Sequence, residues 1–305
     1  MSCHVAIVMG GWSVERAVSL VSGQAVREAL LGCGYRVSVI DAGRDIASVL
    51  GDCGADVVFN ALHGRWGEDG CVQGILETLE IPYTHSGVLA SAVAMHKPMA
   101  RRVFASHGLP CPEGRVMNKA EIMAGPGWPD GFVVKPVNEG SSIGVLIVRD
   151  GEAEAGRAAL QGLSEDADYL VEAYIPGREL TVAVMDGRPL GVLELRPHDG
   201  FYDYDAKYTS GLTDHLAPAP IDSEIDLAAR DIAARAHRAL GCRGVSRADF
   251  RYRDDVPPDK GLFLLEINTQ PGLTPTSLVP ESAALEGFDF TTLVEWMVED
   301  ASCQR

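Results

Sequence analysis

The chain has 305 residues, of which 46% are hydrophobic, and a formal net charge of −17 at pH 7. This length exceeds what one simple core usually serves, so we expect two or three packed domains, and the hydrophobic content excludes a disordered chain. Negative charge repels nucleic acid and anionic membrane surfaces, so we expect neither as a partner, and a site for an anion must be a local group of basic residues.

The seven cysteines are scattered and include no Cys-x-x-Cys pair. An odd, dispersed set is typical of reduced thiols and indicates neither a disulfide framework nor a zinc site. The chain runs directly into the apolar segment 5–9 without a basic leader, and no apolar run is long enough to span a bilayer. We therefore expect a cytoplasmic protein.

The first part of the chain alternates strand and helix patterns. Strands are predicted at 5–9, 36–40 and 57–62, with helices at 15–31 and 70–79 and a short last strand at 81–84. This rhythm predicts a parallel sheet covered by helices. The dinucleotide pattern Gly-x-Gly-x-x-Gly is absent from the first strand–helix turn, which argues against a nicotinamide cofactor.

Two residues of this region are candidates for binding. Glu15 stands in the first turn of the first helix, where it either complements the helix dipole or holds a substrate ammonium. His63 follows the third strand, and ligands of open α/β sheets gather at the carboxyl ends of strands. His63 is a base, an orienting donor or an ordinary loop histidine.

The next region carries a lysine beside a loop rich in glycine and serine. Helical turns at 88–107 contain Lys97, and strands at 132–136 and 144–148 flank the loop, with Lys135 at the end of the first strand. A point charge next to backbone N–H groups and hydroxyls suits phosphates, although the residue order is not that of a P-loop. A hairpin with a polar turn is the plainer alternative.

Strand patterns then run from 169 to 195, interrupted at Pro176-Gly177. Glu172, Tyr174 and Glu179 flank this break, and a nucleoside needs an apolar slot, a backbone edge and a carboxylate. Glutamates on an exposed edge strand are the alternative. The irregular segment 197–220 is long enough to predict a functional lid or a disordered loop.

A helix predicted at 223–240 precedes two polar triplets, Arg247-Ala248-Asp249 and Glu266-Ile267-Asn268. Alternate residues of a strand share one face, and the connector 254–261 lets the two strands return as neighbours. Two carboxylates and an amide oxygen suit Mg²⁺, and an arginine suits a phosphoryl group. An exposed hairpin face with ordinary charges is the alternative.

The second triplet ends in a loop at 268–278, before a last helix at 290–299. Gly272 can present its N–H to an oxyanion, and Ser277 can offer a hydroxyl to a carboxylate. A plain loop before a helix is the other interpretation.

In this order the motifs resemble the D-alanine–D-alanine ligase family of the ATP-grasp superfamily, over essentially the whole chain. The matching residues are Gly10-Gly11-x-Ser13-x-Glu15-Arg16-x-Val18-Ser19, His63-Gly64-x-x-Gly67-Glu68-Asp69-Gly70, Lys135-Pro136, Glu139-Gly140-Ser141-Ser142-x-Gly144, Lys207-Tyr208, Arg247-x-Asp249 and Asn268-Thr269-x-Pro271-Gly272. The chain departs from the family pattern at Trp66, His96 and Leu273, none of which carries chemistry.

The resemblance implies an α/β fold of the ATP-grasp type, with an N-terminal parallel-sheet βαβ domain followed by two α+β domains that clasp ATP. We place the N-terminal substrate domain at 1–88, the ATP-binding domain at 89–180, and the catalytic and metal-binding domain at 181–305, with its lid at 197–220. The implied cofactors are ATP and two Mg²⁺ or Mn²⁺ ions, and the implied assembly is a homodimer.

The resemblance also implies roles for individual residues. Glu15, Ser141 and Tyr208 would anchor the first substrate and the lid, and Arg247 and Gly272 would stabilise the reacting groups. His63, Ser277 and Leu278 would contact substrates, with His63 a candidate proton acceptor. The metal ligands would be Asp249, Glu266 and Asn268, and the nucleotide contacts Lys97, Lys135, Ser142, Glu172, Tyr174, Ile175, Glu179 and Lys207.

The implied reaction joins two D-alanines into the dipeptide used for peptidoglycan precursors, through an acyl phosphate made from ATP. D-Lactate or D-serine as the second substrate is the first alternative, and Tyr208 argues against D-lactate. A regulatory protein that binds nucleotide without catalysis is the second. The intact set of Lys135, Arg247 and the three metal-ligand candidates argues against it.

Overall fold

The computed structural model describes residues 2–149, 153–198, 206, 207, 209 and 211–304. Its strands form three separate sheets, one parallel and two antiparallel. No helix within these ranges is both long enough and apolar enough to cross a membrane.

The first sheet is parallel, as the βαβ rhythm predicts. Its strands lie in the order β2-β1-β3 and are β1 (His4–Met9), β2 (Arg36–Asp41) and β3 (Val57–Asn60). The helices of this part are α1 (Arg16–Gly32), α2 (Ile46–Asp52) and α3 (Cys71–Thr78). Val5 to Val8 in the central strand are fully buried, because helices cover both faces of the sheet.

Two details of this sheet differ from the predicted elements. The strand expected at 81–84 is a pair of isolated bridges of Tyr83, with Val58 and with Ser302, because Pro82 has no N–H to extend a ladder. The third strand ends at Asn60, two residues early, because the Asn60 side chain accepts a hydrogen bond from the Leu62 N–H at 3.2 Å and turns the chain.

Two short helices lead into the second sheet. They are α4 (Val88–Met95) and α5 (Lys97–Ser106), and His96 caps the second of them by accepting from the Met99 N–H. The antiparallel sheet has the order β4-β7-β5-β6, with β4 (Gly114–Asn118), β5 (Gly131–Pro136), β6 (Leu146–Arg149) and β7 (Asp168–Ala173). Its helices are α6 (Lys119–Ala124) and α7 (Ala153–Gln161).

The third sheet holds the two polar triplets. Its antiparallel order is β10-β9-β8-β11-β12, with β8 (Arg178–Met185), β9 (Arg188–Pro197), β10 (Thr213–Leu216), β11 (Val245–Tyr252) and β12 (Leu262–Asn268). Its helices are α8 (Ser223–Leu240), the single turn α9 (Pro258–Gly261), α10 (Leu278–Leu285) and α11 (Phe290–Glu299).

The hydrophobic cores tie the first and third sheets together. One core contains Val5 and Ile7 of β1, Ala183 and Val245 of the third sheet, and Leu293 of α11. A second core packs α4, α5 and α8 against the opposite face of the third sheet. The loops that leave β1, β3 and β12 are therefore held close to one another.

A buried histidine links α8 to the strand that carries Arg247. His237 is 3% exposed, and its Nδ1 lies 2.7 Å from Ser246 Oγ. Burial, with smaller contributions from the Arg238 and Arg243 cations, lowers the pKa of His237 to about 4. The folded protein therefore keeps this side chain neutral where the unfolded chain takes up a proton.

We predict that the free energy of unfolding falls as the pH is lowered from about 6.5 to about 4, because in that window only the unfolded chain protonates His237. The stability that the neutral His237 contributes is fully present above that window. The loss is on the order of 3 kcal/mol at the acid end. His237→Gln should flatten the difference in unfolding free energy between pH 7.5 and pH 5, measured by urea titration. Ser246→Ala is the control, since it should lower stability at both pH values and keep the slope.

Candidate active site

The polar triplets face each other across adjacent strands. Arg247 pairs with Asn268, and Asp249 pairs with Glu266, in the antiparallel register of β11 and β12. The register shifts by one residue directly after Asp249, so the four side chains project from the regular end of the hairpin. Asp249 and Glu266 line the cleft between the second and third sheets, and Arg247 and Asn268 line the space next to it.

A cavity opens between these sheets, and its empty space, open solvent included, is about 890 Å³. Val133, Ile147, Ile175 and Leu265 give it apolar walls, which suits a planar base. Asp249 and Glu266 line this cavity. So do all eight residues expected to contact nucleotide, which are Lys97, Lys135, Ser142, Glu172, Tyr174, Ile175, Glu179 and Lys207.

The cations of this cavity are buried against carboxylates. Lys135 Nζ lies 2.5 Å from Glu172 Oε2, and Arg101 donates to the other oxygen of that carboxylate. Burial alone would lower the pKa of Lys135, but Glu172 and Glu266 outweigh it and raise that pKa. Lys135 therefore stays charged and ready to meet an anion.

Lys97 enters the same cavity from the start of α5. Its ammonium donates to the Glu139 carbonyl and lies 4.0 Å from Glu266 Oε2. Burial lowers the pKa of Lys97, and the Glu266 carboxylate opposes that shift. Each of the two lysines thus lies in the field of both Glu172 and Glu266.

Asp249 is the most constrained of the metal-ligand candidates. Arg247 donates to both of its oxygens at 2.7 Å, and Thr181 Oγ1 donates at 2.7 Å. Burial would raise the pKa of Asp249, but Arg247 outweighs it and the pKa is lowered. Asn268 accepts from the Gln270 N–H at 2.8 Å, and the Glu266 side chain is 33% exposed to the cleft.

These donors fit a hard cation. Within the described part of the chain no cluster of three or more His, Cys, Asp and Glu side chains can hold a metal. Mg²⁺ does not require such a cluster, because it commonly takes one or two carboxylates and completes its shell with water and substrate phosphates. The ionised Asp249, the open Glu266 and the amide oxygen of Asn268 match that pattern.

A second cavity, with about 550 Å³ of empty space when open solvent is included, adjoins the first, and Lys207 and Glu266 line both. Its walls contain every described residue that the sequence assigned to the substrates: Glu15, His63, Ser141, Arg247, Gly272, Ser277 and Leu278. Tyr208 lies outside the described residues.

Glu15 is a buried carboxyl group whose pKa lies near neutral pH. It is 3% exposed and accepts a hydrogen bond from Ser141 Oγ, which reaches it from a loop residue at positive φ. Burial and the Glu68 carboxylate raise its pKa to about 7, while Ser141, His63 and Lys207 oppose that rise. A cation placed beside Glu15 would restore its charge.

Both ring nitrogens of His63 are engaged. Nδ1 lies 3.3 Å from Glu68 Oε1, and Nε2 lies 3.1 Å from Ser22 Oγ. The His63 carbonyl accepts from Ser13 Oγ at 2.8 Å, and the side chain is buried. A ring with two partners is held in one orientation, so this geometry favours an orienting role over a free base.

The loop after β12 is closed by its own hydroxyls. Ser277 Oγ accepts from the Thr274 N–H at 2.8 Å and lies 2.9 Å from Thr274 Oγ1. A Cβ at position 272 would lie 3.0 Å from Ser277 Oγ, so Gly272 sits where any side chain would crowd this hydroxyl. Gly272, Thr276 and Ser277 of this loop line the second cavity.

Comparison with known proteins places the chain in a family. The family model described as D-ala D-ala ligase C-terminus matches residues 112–299, and that described as D-ala D-ala ligase N-terminus matches residues 47–86. The chain belongs to the D-alanine–D-alanine ligase family.

Individual ligases align over nearly their full lengths. The D-alanine–D-alanine ligase of Parvibaculum lavamentivorans is 54% identical over 99% of this chain and 98% of its own, and that of Cereibacter sphaeroides is 56% identical over 99% and 97%. The crystal structure of the Bacillus anthracis ligase complexed with ATP superposes with a TM-score of 0.81, at 29% identity, covering 98% of this chain and 97% of the other. The predicted ATP-grasp fold is thus confirmed.

Several residues of this ligase-family site were not predicted. Arg251 donates to the Ile175 and Gly177 carbonyls at 3.1 and 2.7 Å and lies 3.4 Å from Glu179. It shares a strand face with Arg247 and Asp249, so extending the two-residue period by one step finds it. Arg101 and Thr181 leave no such signal, because their partners are distant in sequence.

We predict that Ser141→Ala raises the pKa of Glu15 above about 7, because the hydrogen bond that Ser141 donates stabilises the ionised carboxylate and the variant lacks it. Glu68→Gln is the matched variant of opposite sign: it removes a neighbouring negative charge and should lower the pKa of Glu15. NMR titration of ¹³C-labelled glutamate carboxyls reads both shifts. Shifts in the same direction would contradict the geometry.

Proposed function

We propose that this chain is an ATP-dependent ligase that joins two D-alanines into D-alanyl-D-alanine through an acyl phosphate. One observation carries the proposal: the cavity lined by the nucleotide set and the cavity lined by the substrate set meet at Lys207 and Glu266. Identities above one half to ligases of this name, over nearly whole chains, support it.

The chemistry needs an activated carboxylate, because a free carboxylate is a poor acyl donor. Transfer of the terminal phosphoryl group of ATP to the carboxylate of the first D-alanine creates a good leaving group. The amine of the second D-alanine then displaces phosphate and forms the peptide bond, with loss of a proton. Lys97, Lys135 and Arg247 offset the repulsion between the approaching anions.

We assign the first substrate to Glu15. Its carboxylate, once ionised, would hold the substrate ammonium, while His63 is kept in place by Glu68 and Ser22 to orient the same substrate. Gly272 would turn its N–H toward the oxyanion of the tetrahedral state, and Ser277 and Leu278 would bound the second substrate.

We assign two Mg²⁺ or Mn²⁺ ions to Asp249, Glu266 and Asn268. When bound, these ions would shield the phosphate charges and orient the terminal phosphate. The protein's part is to keep the ligands charged and facing one cleft. Arg247 keeps Asp249 charged and in place, and the register of β11 with β12 sets Glu266 opposite Asp249.

The three predicted domains, a homodimer and a cytoplasmic location stay predictions. The lid at 197–220 also stays one, since 199–205, 208 and 210 lie outside the described residues. Light scattering of the purified protein measures the assembly.

Product analysis tests the proposal directly. Purified protein with ATP and Mg²⁺ should release phosphate in the presence of D-alanine, and mass spectrometry should find D-alanyl-D-alanine in equal amount. A panel of L-alanine, D-serine and D-lactate measures the choice of second substrate. Preferential use of D-lactate or D-serine would replace the proposed acceptor, and phosphate release without any condensed product would overturn the ligase assignment.

We predict that Glu266→Gln lowers kcat by about a hundredfold or more, because removal of a metal-binding charge costs several kcal/mol of transition-state stabilisation. Glu286→Gln is the control, since that carboxylate pairs with Arg188 and Arg230 and lines neither cavity. Circular dichroism should show both variants folded. Near-wild-type turnover of Glu266→Gln at saturating Mg²⁺ would contradict the metal assignment.

A further inference from the structure

A network of buried amide side chains joins the two loops that build the substrate cavity. The first loop, 61–70, follows β3 and carries His63, and the second, 269–277, follows β12 and carries Gly272. Asn60, Gln73 and Gln270 are at most 1% exposed. None of these three lines the substrate cavity, so none contacts a substrate directly.

Gln270 spans the gap between the loops. Its Nε2 donates to the Leu62 carbonyl, and its Oε1 accepts from Asn60 Nδ2 at 2.8 Å. The Leu62 carbonyl directly precedes His63. Gln270 itself lies midway between Asn268 and Gly272, and its N–H donates to Asn268 Oδ1 at 2.8 Å.

Asn60 and Gln73 hold the first loop in place by hydrogen bonds to its backbone. The second proton of Asn60 Nδ2 is donated to the Gly67 carbonyl at 3.0 Å, and Gln73 Nε2 donates to the same carbonyl at 2.6 Å. Asn60 Oδ1 accepts from the Leu62 N–H at 3.2 Å. Gln270 therefore hydrogen-bonds to a first loop that these other bonds already hold in place.

Ser22 makes a second, weaker connection between the same loops. Its Oγ accepts from the Leu273 N–H at 3.3 Å and lies 3.1 Å from His63 Nε2. Leu273 directly follows Gly272. The two connections thus lie on either side of Gly272 and leave its loop little freedom relative to His63.

We propose that Gln270 is a positioning residue that sets the distance between the first-substrate and second-substrate loops, and so sets the approach of the amine to the acyl phosphate. The inference rests on the proposed ligase function. A buried amide with both ends bonded is stiff, because breaking either bond leaves a polar group unsatisfied in the interior. A displacement of about 1 Å can cost about a hundredfold in rate when reacting groups must align.

The distinguishing consequence is uncoupling. If the amine is misplaced, water attacks the acyl phosphate instead, and the products are D-alanine and phosphate without dipeptide. Each futile cycle consumes one ATP, so the ratio of phosphate to dipeptide exceeds one. Partial unfolding lowers both products together and leaves the ratio at one.

The experiment compares Gln270→Leu with Gln73→Leu. Both remove a buried glutamine of the same network, but only Gln270 reaches the second loop. We expect Gln270→Leu to raise the KM for the second D-alanine about tenfold and to release excess phosphate, with the KM for ATP within about twofold of wild type. Gln73→Leu should lose stability and keep one phosphate per dipeptide.

Gln270→Glu extends the test, since it keeps an acceptor for Asn60 and loses the donor for Leu62. It should uncouple less than Gln270→Leu, and it replaces that variant if the latter fails to fold. Coupled turnover with an unchanged KM in a folded Gln270 variant would overturn the inference. A wild-type protein that makes no dipeptide would overturn the proposed function instead.

Discussion

The antiparallel pairing of β11 with β12 is the constraint on which the site depends. Side chains alternate along a strand, so a slip of one residue would turn Asp249 and Glu266 onto opposite faces. β11 is also paired along its whole length with β8, and Ala248 and Phe250 on its other face are fully buried in the core under α8. Hydrophobic burial on one face thus fixes the polar set on the other.

The second constraint is electrostatic, because a chain of net charge −17 must collect cations where anions react. Burying Lys135 alone would be costly, and Glu172 stabilises it by direct contact. Arg101 then offsets the charge of Glu172, so the cavity holds a chain of alternating charges rather than isolated ones. Such a chain is a fixed polar environment that needs little rearrangement when phosphates arrive.

The sequence predicts what is local and periodic. The helices at 223–240 and 290–299 are found at those residues, and the parallel first sheet follows from the βαβ rhythm. Prediction fails where partners are far apart in sequence: Gln270 meets Leu62 across 208 residues, and Arg101 meets Glu172 across 71. It also missed β10, which lies inside the segment predicted as irregular, because β9 supplies the pairing that its four residues need.

The two cavities each hold a carboxylate with a shifted pKa, and the shifts at Asp249 and at Glu15 have opposite directions. In the nucleotide cavity Asp249 has the Arg247 cation as a close partner, which lowers its pKa and keeps it charged for a cation to come. In the substrate cavity burial, together with the neighbouring Glu68 carboxylate, raises the pKa of Glu15 to about 7. A cation beside Glu15 would lower that pKa again, and an amino-acid ammonium is such a cation. Binding of the first substrate would therefore complete a charge balance that the nucleotide cavity already has.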